Sequence, residues 1–323
     1  MLPLIGLTLA SVVTSLAALC LALIERRKGF LCKDVHKPLK PLVPCSVGPA
    51  ILIGFSVGAF LLLPFRYALA SILSMFIAFI IGLVDDLRGL SAYQKIGLGL
   101  LPAIPVIALH TYRVNPWVPF FGYTRMFIVY PILVFIAFTV FCNGANMIDT
   151  HNGLLSGGAL ISSLAALSLL FALHKYGVGT ALVSLSVAVL APYFVLNAYP
   201  ARIFNGNAGS FIIGALLAIE AVFARLEALF IFSNMVMFLN GLFYLLSVRG
   251  FLQRQYVKRP VTMDESCLMS PNPDPDAPLT MVRLLLAIAR RPLSEKELVA
   301  AIHALYIASS VTGIAILLAL GYH

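Results

Sequence analysis

Ten runs of apolar residues set the limits on what this chain can fold into. They lie near 3–24, 47–64, 68–84, 95–110, 126–142, 154–173, 177–197, 208–224, 227–247 and 299–320. Each is about 16 to 22 residues long, close to the ~20 that carry an α-helix across the hydrocarbon core. The shorter ones reach across only with tilt or by entering half-buried. With 61% hydrophobic and 11% charged residues, against roughly 25% charged in a soluble domain, the chain reads as polytopic. The expected fold is all-α, a single membrane unit over 1–323 with about ten transmembrane helices. The first run, Met1 to Ile24, is too long and apolar for a cleaved signal and lacks a basic n-region and a clear small-residue cleavage site, so it reads as the first span.

Basic residues orient these spans. Segments 25–46, 85–95, 143–153, 198–207 and 248–298 hold 17 of the 22 lysines and arginines. The positive-inside rule places them in the cytoplasm and both termini outside. Of 13 carboxylates, only Glu220 and Glu227 fall elsewhere. Candidate chemistry therefore gathers on one face. That favours an interfacial enzyme over a carrier, whose ionisable groups sit nearer mid-membrane. The net charge of +9 then reports cytoplasmic loops that meet membrane lipids and anionic substrates, with no nucleic-acid partner. The five cysteines lack C-x-x-C spacing and read as small apolar packing residues.

The loop 248–298 differs from the rest. A proline-rich turn, Pro271 to Pro278, precedes Thr280 to Arg291, which reads as a short helix lying in the interface plane. Ser294 with Glu297 offers a capping box for the last helix.

Four segments on the basic side carry unusual polar residues: Lys33 to Pro41, Asp85-Asp86-Leu87-Arg88 with Lys95, Asn143 to Leu154, and Phe204 to Ser210. An ionisable pair such as Asp85-Asp86 at the edge of hydrocarbon costs a few kcal/mol, and a divalent cation with phosphate ligands is the leading compensation. Asp85, Asp86, Asn146, Asp149 and Asn207 supply the hard oxygens that Mg²⁺ prefers. Lysines and arginines neutralise phosphate charge in phosphoryl transfer. Gly206 and Gly209 at a helix start let backbone N–H groups approach a ligand, or else serve close helix packing.

In these motifs and their order the chain resembles the polyprenyl-phosphate N-acetylhexosamine-1-phosphate transferases. The resemblance rests on the Asp34-x-His36-Lys37-Pro38-x-Lys40-Pro41 stretch, Gly82 to Asp86, Asn143 to Leu154 and Phe204 to Gly214, and runs from about residue 30 to 320. It implies ten transmembrane helices, a cytoplasmic active site, and Mg²⁺ as cofactor with Mn²⁺ as the alternative. It also implies attack of a polyprenyl phosphate on a UDP-sugar with release of UMP. By motif, Asp85, Asp86, Lys95 and Asp149 take catalytic roles, and Asp86, Asn146 and Asn207 metal roles. Substrate contacts fall to Asn143, His151, Asn152, Gly153, Phe204, Lys37, Arg254, Lys258 and Arg259, with Asn152-Gly153 and Phe204 at the uracil. His151 itself reads more as a local turn residue, and His303 as a helix-packing one. The Asp34-x-His36-Lys37-Pro38 opening looks archaeal, which points to GlcNAc-1-phosphate transfer onto a dolichyl-type phosphate, the first step of a lipid-linked N-glycan. The enzyme then sits in the plasma membrane of an archaeon or bacterium, or the endoplasmic reticulum of a eukaryote. A homodimer is left open.

Asn207 departs from the resemblance, which normally has a metal-binding aspartate there. An amide oxygen brings no charge, so the substitution is either natural and tolerated, engineered to trap substrate, or the mark of a relative that binds lipid or nucleotide with little activity. A polyprenyl-phosphate carrier is the runner-up from another functional class.

Overall fold

The computed structural model describes residues 2–248 and 257–322. The chain is mostly helical. Its helices are α1 (Leu2–Lys28), α2 (Pro49–Leu62), α3 (Phe65–Arg88), α4 (Ala92–Leu98), α5 (Ile104–Ala108), α6 (Val129–Ile148), α7 (Leu154–Ala172) and α8 (Val178–Asn197), then α9 (Gly206–Ala224), α10 (Glu227–Ser233), α11 (Met235–Ser247), α12 (Met281–Ala289) and α13 (Glu295–Ala319). Three two-stranded antiparallel hairpins decorate them: β1 (Leu31–Lys33) with β2 (Leu42–Pro44), β3 (Trp117–Val118) with β4 (Gly122–Tyr123), and β5 (Val261–Met263) with β6 (Met269–Pro271).

Among the described residues, seven helices are long and apolar enough to cross a membrane, and α10 with α11 makes an eighth if that pair, bent by 64°, is one span. The other two expected spans are shorter. Segment 47–64 folds as the 14-residue α2. Segment 95–110 breaks into α4, a single turn at Leu101–Ala103 and α5, because Pro102 and Pro105 remove backbone donors and cannot continue a regular helix.

α9 organises the rest. Every residue from Ala208 to Ala224 is buried, as expected of a helix that is apolar all round, and α3, α6 and α8 pack on it. Its start is closely approached by glycines. A Cβ on Gly48 would lie 2.1 Å from Gly209 Cα, and one on Gly82 would lie 2.5 Å from Ala208 Cα. The starts of α2 and α9 can therefore meet backbone to backbone, and the polar end of α3 is brought against the start of α9.

Two cysteines do not behave as packing residues: Cys32 and Cys45 form a disulfide across 13 residues. The β1–β2 pairing sets Leu31 opposite Pro44 and so brings the two side chains together. Two local expectations hold: a short helix follows the proline-rich turn, and the last helix begins with the expected capping box. Thr280 caps α12 by accepting from Arg283 N at 3.1 Å, and Ser294 and Glu297 form the capping box of α13.

Candidate functional site

The four polar segments converge on one cavity of about 1890 Å³. Its walls come from the β1–β2 hairpin, the end of α3, α4, the end of α6, the start of α9, α11 and residues 257–260. Asp86, Lys95, Asn143, Asn146, Asp149, His151, Asn152, Phe204, Asn207, Lys258 and Arg259 all line it.

Asp86 sits at the mouth of α9. Its Oδ1 accepts the Asn207 N–H at 2.9 Å, and its Oδ2 accepts the Ala208 N–H at 3.2 Å and the Ser46 hydroxyl at 3.1 Å. A carboxylate there satisfies orphan helix donors and complements the helix dipole. This revises the role of the Gly206–Gly209 turn. Two of its N–H groups are already taken, Gly206 (φ +65°) lies against Ser46, and Gly209 serves the contact with Gly48.

A second set of polar groups runs from α3 to α9. Asp85 is buried, accepts the Leu90 N–H at 2.8 Å, and pairs with Lys95 Nζ at 2.5 Å. Lys95 Nζ also donates to Asn146 Oδ1 at 3.4 Å, and Asn146 Nδ2 donates to Asn207 Oδ1 at 2.7 Å. Asp85 thus stands behind Lys95 and is not among the lining residues. Asn143 donates to Lys95 O at 3.2 Å and Thr139 O at 2.8 Å, which ties α6 to α4 and fixes the root of Lys95.

Asp149 spends both oxygens on α9 and its cap: Oδ1 accepts from Asn205 Nδ2 at 2.8 Å and Oδ2 from Ser210 Oγ at 2.6 Å. Burial pushes its pKa up to about 6, against those two hydrogen bonds, which pull it down. The carboxylates of Asp86 and Asp149 and the amide oxygens of Asn146 and Asn207 are hard donors, and that set fits Mg²⁺ or Mn²⁺ better than a thiolate-seeking metal.

The remaining predicted residues divide. His151 is buried and stacks on His36 with centroids 4.4 Å apart, which is more than a turn residue does. Asn152 is buried at the cavity wall. Gly153 supplies the left-handed backbone (φ +72°) that enters α7 and does not line the cavity. Lys37 is not free for substrate, since it pairs with the buried Asp34 and lies 3.5 Å from Glu295. Lys258 reaches Asp274 at 2.5 Å and Asp276 at 3.4 Å. Their hydrogen bond raises the ammonium's affinity for its proton and lowers that of Asp274. Arg254 lies outside the described residues. His303 packs between helices, with Nε2 3.2 Å from Leu154 O. Ser46 and Glu295 were not foreseen, Glu295 being marked only by its place after the Ser294 cap, while Asn205 and Ser210 fell within the Phe204–Ser210 segment without an assigned role.

Residues 68–225, from α3 to the end of α9, match the model of glycosyl transferase family 4. A Saccharolobus solfataricus protein with the provisional name UDP-N-acetylglucosamine–dolichyl-phosphate N-acetylglucosaminephosphotransferase is 33% identical over 59% of this chain and 62% of its own length. A Sulfolobus acidocaldarius protein of the same name is 30% identical over 59% and 62%. A phospho-N-acetylmuramoyl-pentapeptide-transferase of Dictyoglomus thermophilum is 28% identical over 64% and 67%. The chain spans less than two thirds of the length of the first two relatives.

Proposed function

We propose, from the match of residues 68–225 to the model of glycosyl transferase family 4, that the protein moves GlcNAc-1-phosphate from UDP-GlcNAc to a polyprenyl phosphate of the dolichyl class. The products are UMP and a GlcNAc-diphospho-lipid. The archaeal relatives named for this activity support the sugar and the lipid. The observation that carries the proposal is the meeting of Asp86, Lys95, Asn146 and Asn207 in one wall of a cavity that also holds Lys258 and Arg259.

The chemistry is a displacement at the phosphorus that bears the sugar. An oxygen of the lipid phosphate bonds to it, the bond to the bridging oxygen breaks, and the electron pair leaves with UMP. A phosphate monoester loses its second proton near pH ~6, so the nucleophile is largely dianionic at pH 7 and a strong general base is not required. Asp85 accordingly serves to hold the Lys95 ammonium in place, and Lys95 meets phosphate charge as it develops. Asp86, Asn146 and Asn207 are the residues that would hold Mg²⁺. When bound, that ion would neutralise diphosphate charge. Lys258 and Arg259 would receive the diphosphate or the leaving UMP. The cavity would open to the cytoplasm, and the product would begin a lipid-linked glycan.

The test is UMP release from UDP-GlcNAc by the detergent-solubilised full chain with Mg²⁺ and a polyprenyl phosphate. Release that requires the lipid is expected. No UMP, together with transport of polyprenyl phosphate across vesicles, would establish the carrier function instead.

A further inference from the structure

The charge cluster around Lys37 lies where the turn of the β1–β2 hairpin meets the start of α13. Asp34 and Glu295 are each only 2% exposed, and the Lys37 ammonium bonds to Asp34 and lies 3.5 Å from Glu295 Oε2. Asp34, His36 and Glu295 have ligand atoms within 4.8 Å of one another, a spacing that a metal could use. Lys37 already supplies the cation between the two carboxylates, so the cluster has its own counter-ion.

Both carboxylates converge on one residue. Glu295 Oε1 accepts the Asn152 backbone N–H at 2.8 Å, and Asp34 Oδ2 accepts Asn152 Nδ2 at 2.9 Å. An ionised carboxylate only accepts hydrogen bonds, so the NH₂ of Asn152, and not its oxygen, must face Asp34. The amide oxygen is then the group left to meet a ligand at the wall that Asn152 lines. Flat rings share that wall: the His36–His151 stack and Phe204. Rings beside one fixed polar edge suit a heteroaromatic base, because a few placed polar groups orient a ligand in an otherwise apolar setting.

We propose that Asp34 and Glu295 are positioning residues. They lock Asn152 with its amide oxygen toward the ligand, and so make the nucleotide site favour a base with an imide N–H over one with a ring-nitrogen acceptor at that point. The Lys37 ammonium lies between the two carboxylates as their counter-ion, and carboxylates so paired act as acceptors. The proposal rests on the nucleotide-sugar function above, and it ties base recognition to the last helix of the chain.

The test is calorimetric binding of UMP and of CMP to the full chain in detergent, for wild type, Asp34→Asn and Glu295→Gln. Uracil carries N–H at ring position 3 and cytosine carries an acceptor there. Wild type should prefer UMP about tenfold or more, since a mismatched base leaves a buried acceptor unpaired. In Asp34→Asn the new amide can accept or donate, Asn152 is free to turn, and the UMP/CMP ratio should fall about threefold or more. In Glu295→Gln an acceptor remains for the Asn152 N–H, and the ratio should fall less.

A purely structural role would weaken both nucleotides together and leave the ratio alone. Equal binding of UMP and CMP by wild type overturns the proposal, as does an unchanged ratio in the variants. Where Asp34→Asn does not fold, wild type and Glu295→Gln decide. UMP preference that falls in the variants, without UMP release from UDP-GlcNAc, would sink the transfer function alone. UMP release without base preference would sink this proposal alone.

Discussion

Asp86 accepts the backbone N–H of Asn207 at 2.9 Å, so the last turn of α3 closes the first turn of α9 across 121 residues of sequence. The charge that would face a metal is thus also the charge that stabilises the central helix. Asp86→Asn should remove both. An amide can accept at only one atom, and the loss of a charged cap costs about 1 kcal/mol. We expect a lower thermal midpoint in detergent and a fall in UMP release of about 10²-fold, the scale for losing one group aimed at developing charge. Unchanged turnover with a lowered midpoint would leave Asp86 a purely structural cap.

Asn207→Asp should act in the other direction. Its oxygen would still accept from Asn146 Nδ2, which is 2.7 Å from the amide oxygen now present, while a second full charge joins Asp86. The Mg²⁺ concentration for half-maximal UMP release should fall about tenfold, because ligand charge sets affinity for hard cations, and turnover should rise. Without Mg²⁺ the same variant should be less stable, from like-charge repulsion. Combined with Asp86→Asn it should give a non-additive cycle. Additivity in Mg²⁺ dependence would mean that the two positions do not share an ion.

The sequence carried the helices and the membership of the site further than it carried its internal partnerships. Long apolar runs, the Ser294–Glu297 box and the short helix after the proline-rich turn are local signals and reappear as such. The four polar segments met because topology forces their ends onto one face. Which group satisfies which was unreadable. No local pattern says that Asp86 caps a helix 121 residues away, or that Lys37 is spoken for by Glu295 258 residues away. Cys32 and Cys45 become partners only once the hairpin register is known. Segment 95–110 passed as a span on hydropathy, although Pro102 and Pro105 already argued for a break.

Gly82 should tolerate no side chain. A Cβ there would lie 2.4 Å from Asn207 O and 2.5 Å from Ala208 Cα. Both are backbone atoms of the most buried helix, so neither can rotate aside. Gly82→Ala should cost about 1–3 kcal/mol, the range for overpacking, and should weaken UMP release by moving Asp86 off its cap. Gly97 is the control, since a Cβ there meets nothing within 4 Å and alanine favours α4 by about 0.5–1 kcal/mol. Thermal unfolding of both variants in detergent separates them, and equal midpoints would rule out the close approach of α3 to α9.

His151 should make stability fall in acid. Burial, then the charge of His36 against which it stacks, lowers its proton affinity from 6.5 to about 3, with Glu295 opposing. Between those values the unfolded chain binds a proton at this residue that the folded chain refuses. Stability therefore rises with pH across the window and is lost as pH falls below 6.5. Asp149 works the other way. Its pKa rises from 3.8 to about 6 on folding, so between those values the folded chain holds the extra proton and gains as pH falls. The two partly cancel in the wild type, and only a difference measurement isolates His151. His151→Gln keeps a polar side chain and cannot titrate. Its midpoint should hold up better than wild type's on going from pH 7 to pH 5, with the two curves converging in slope above 6.5. Parallel curves throughout would mean that His151 takes up its proton equally in the folded and unfolded protein.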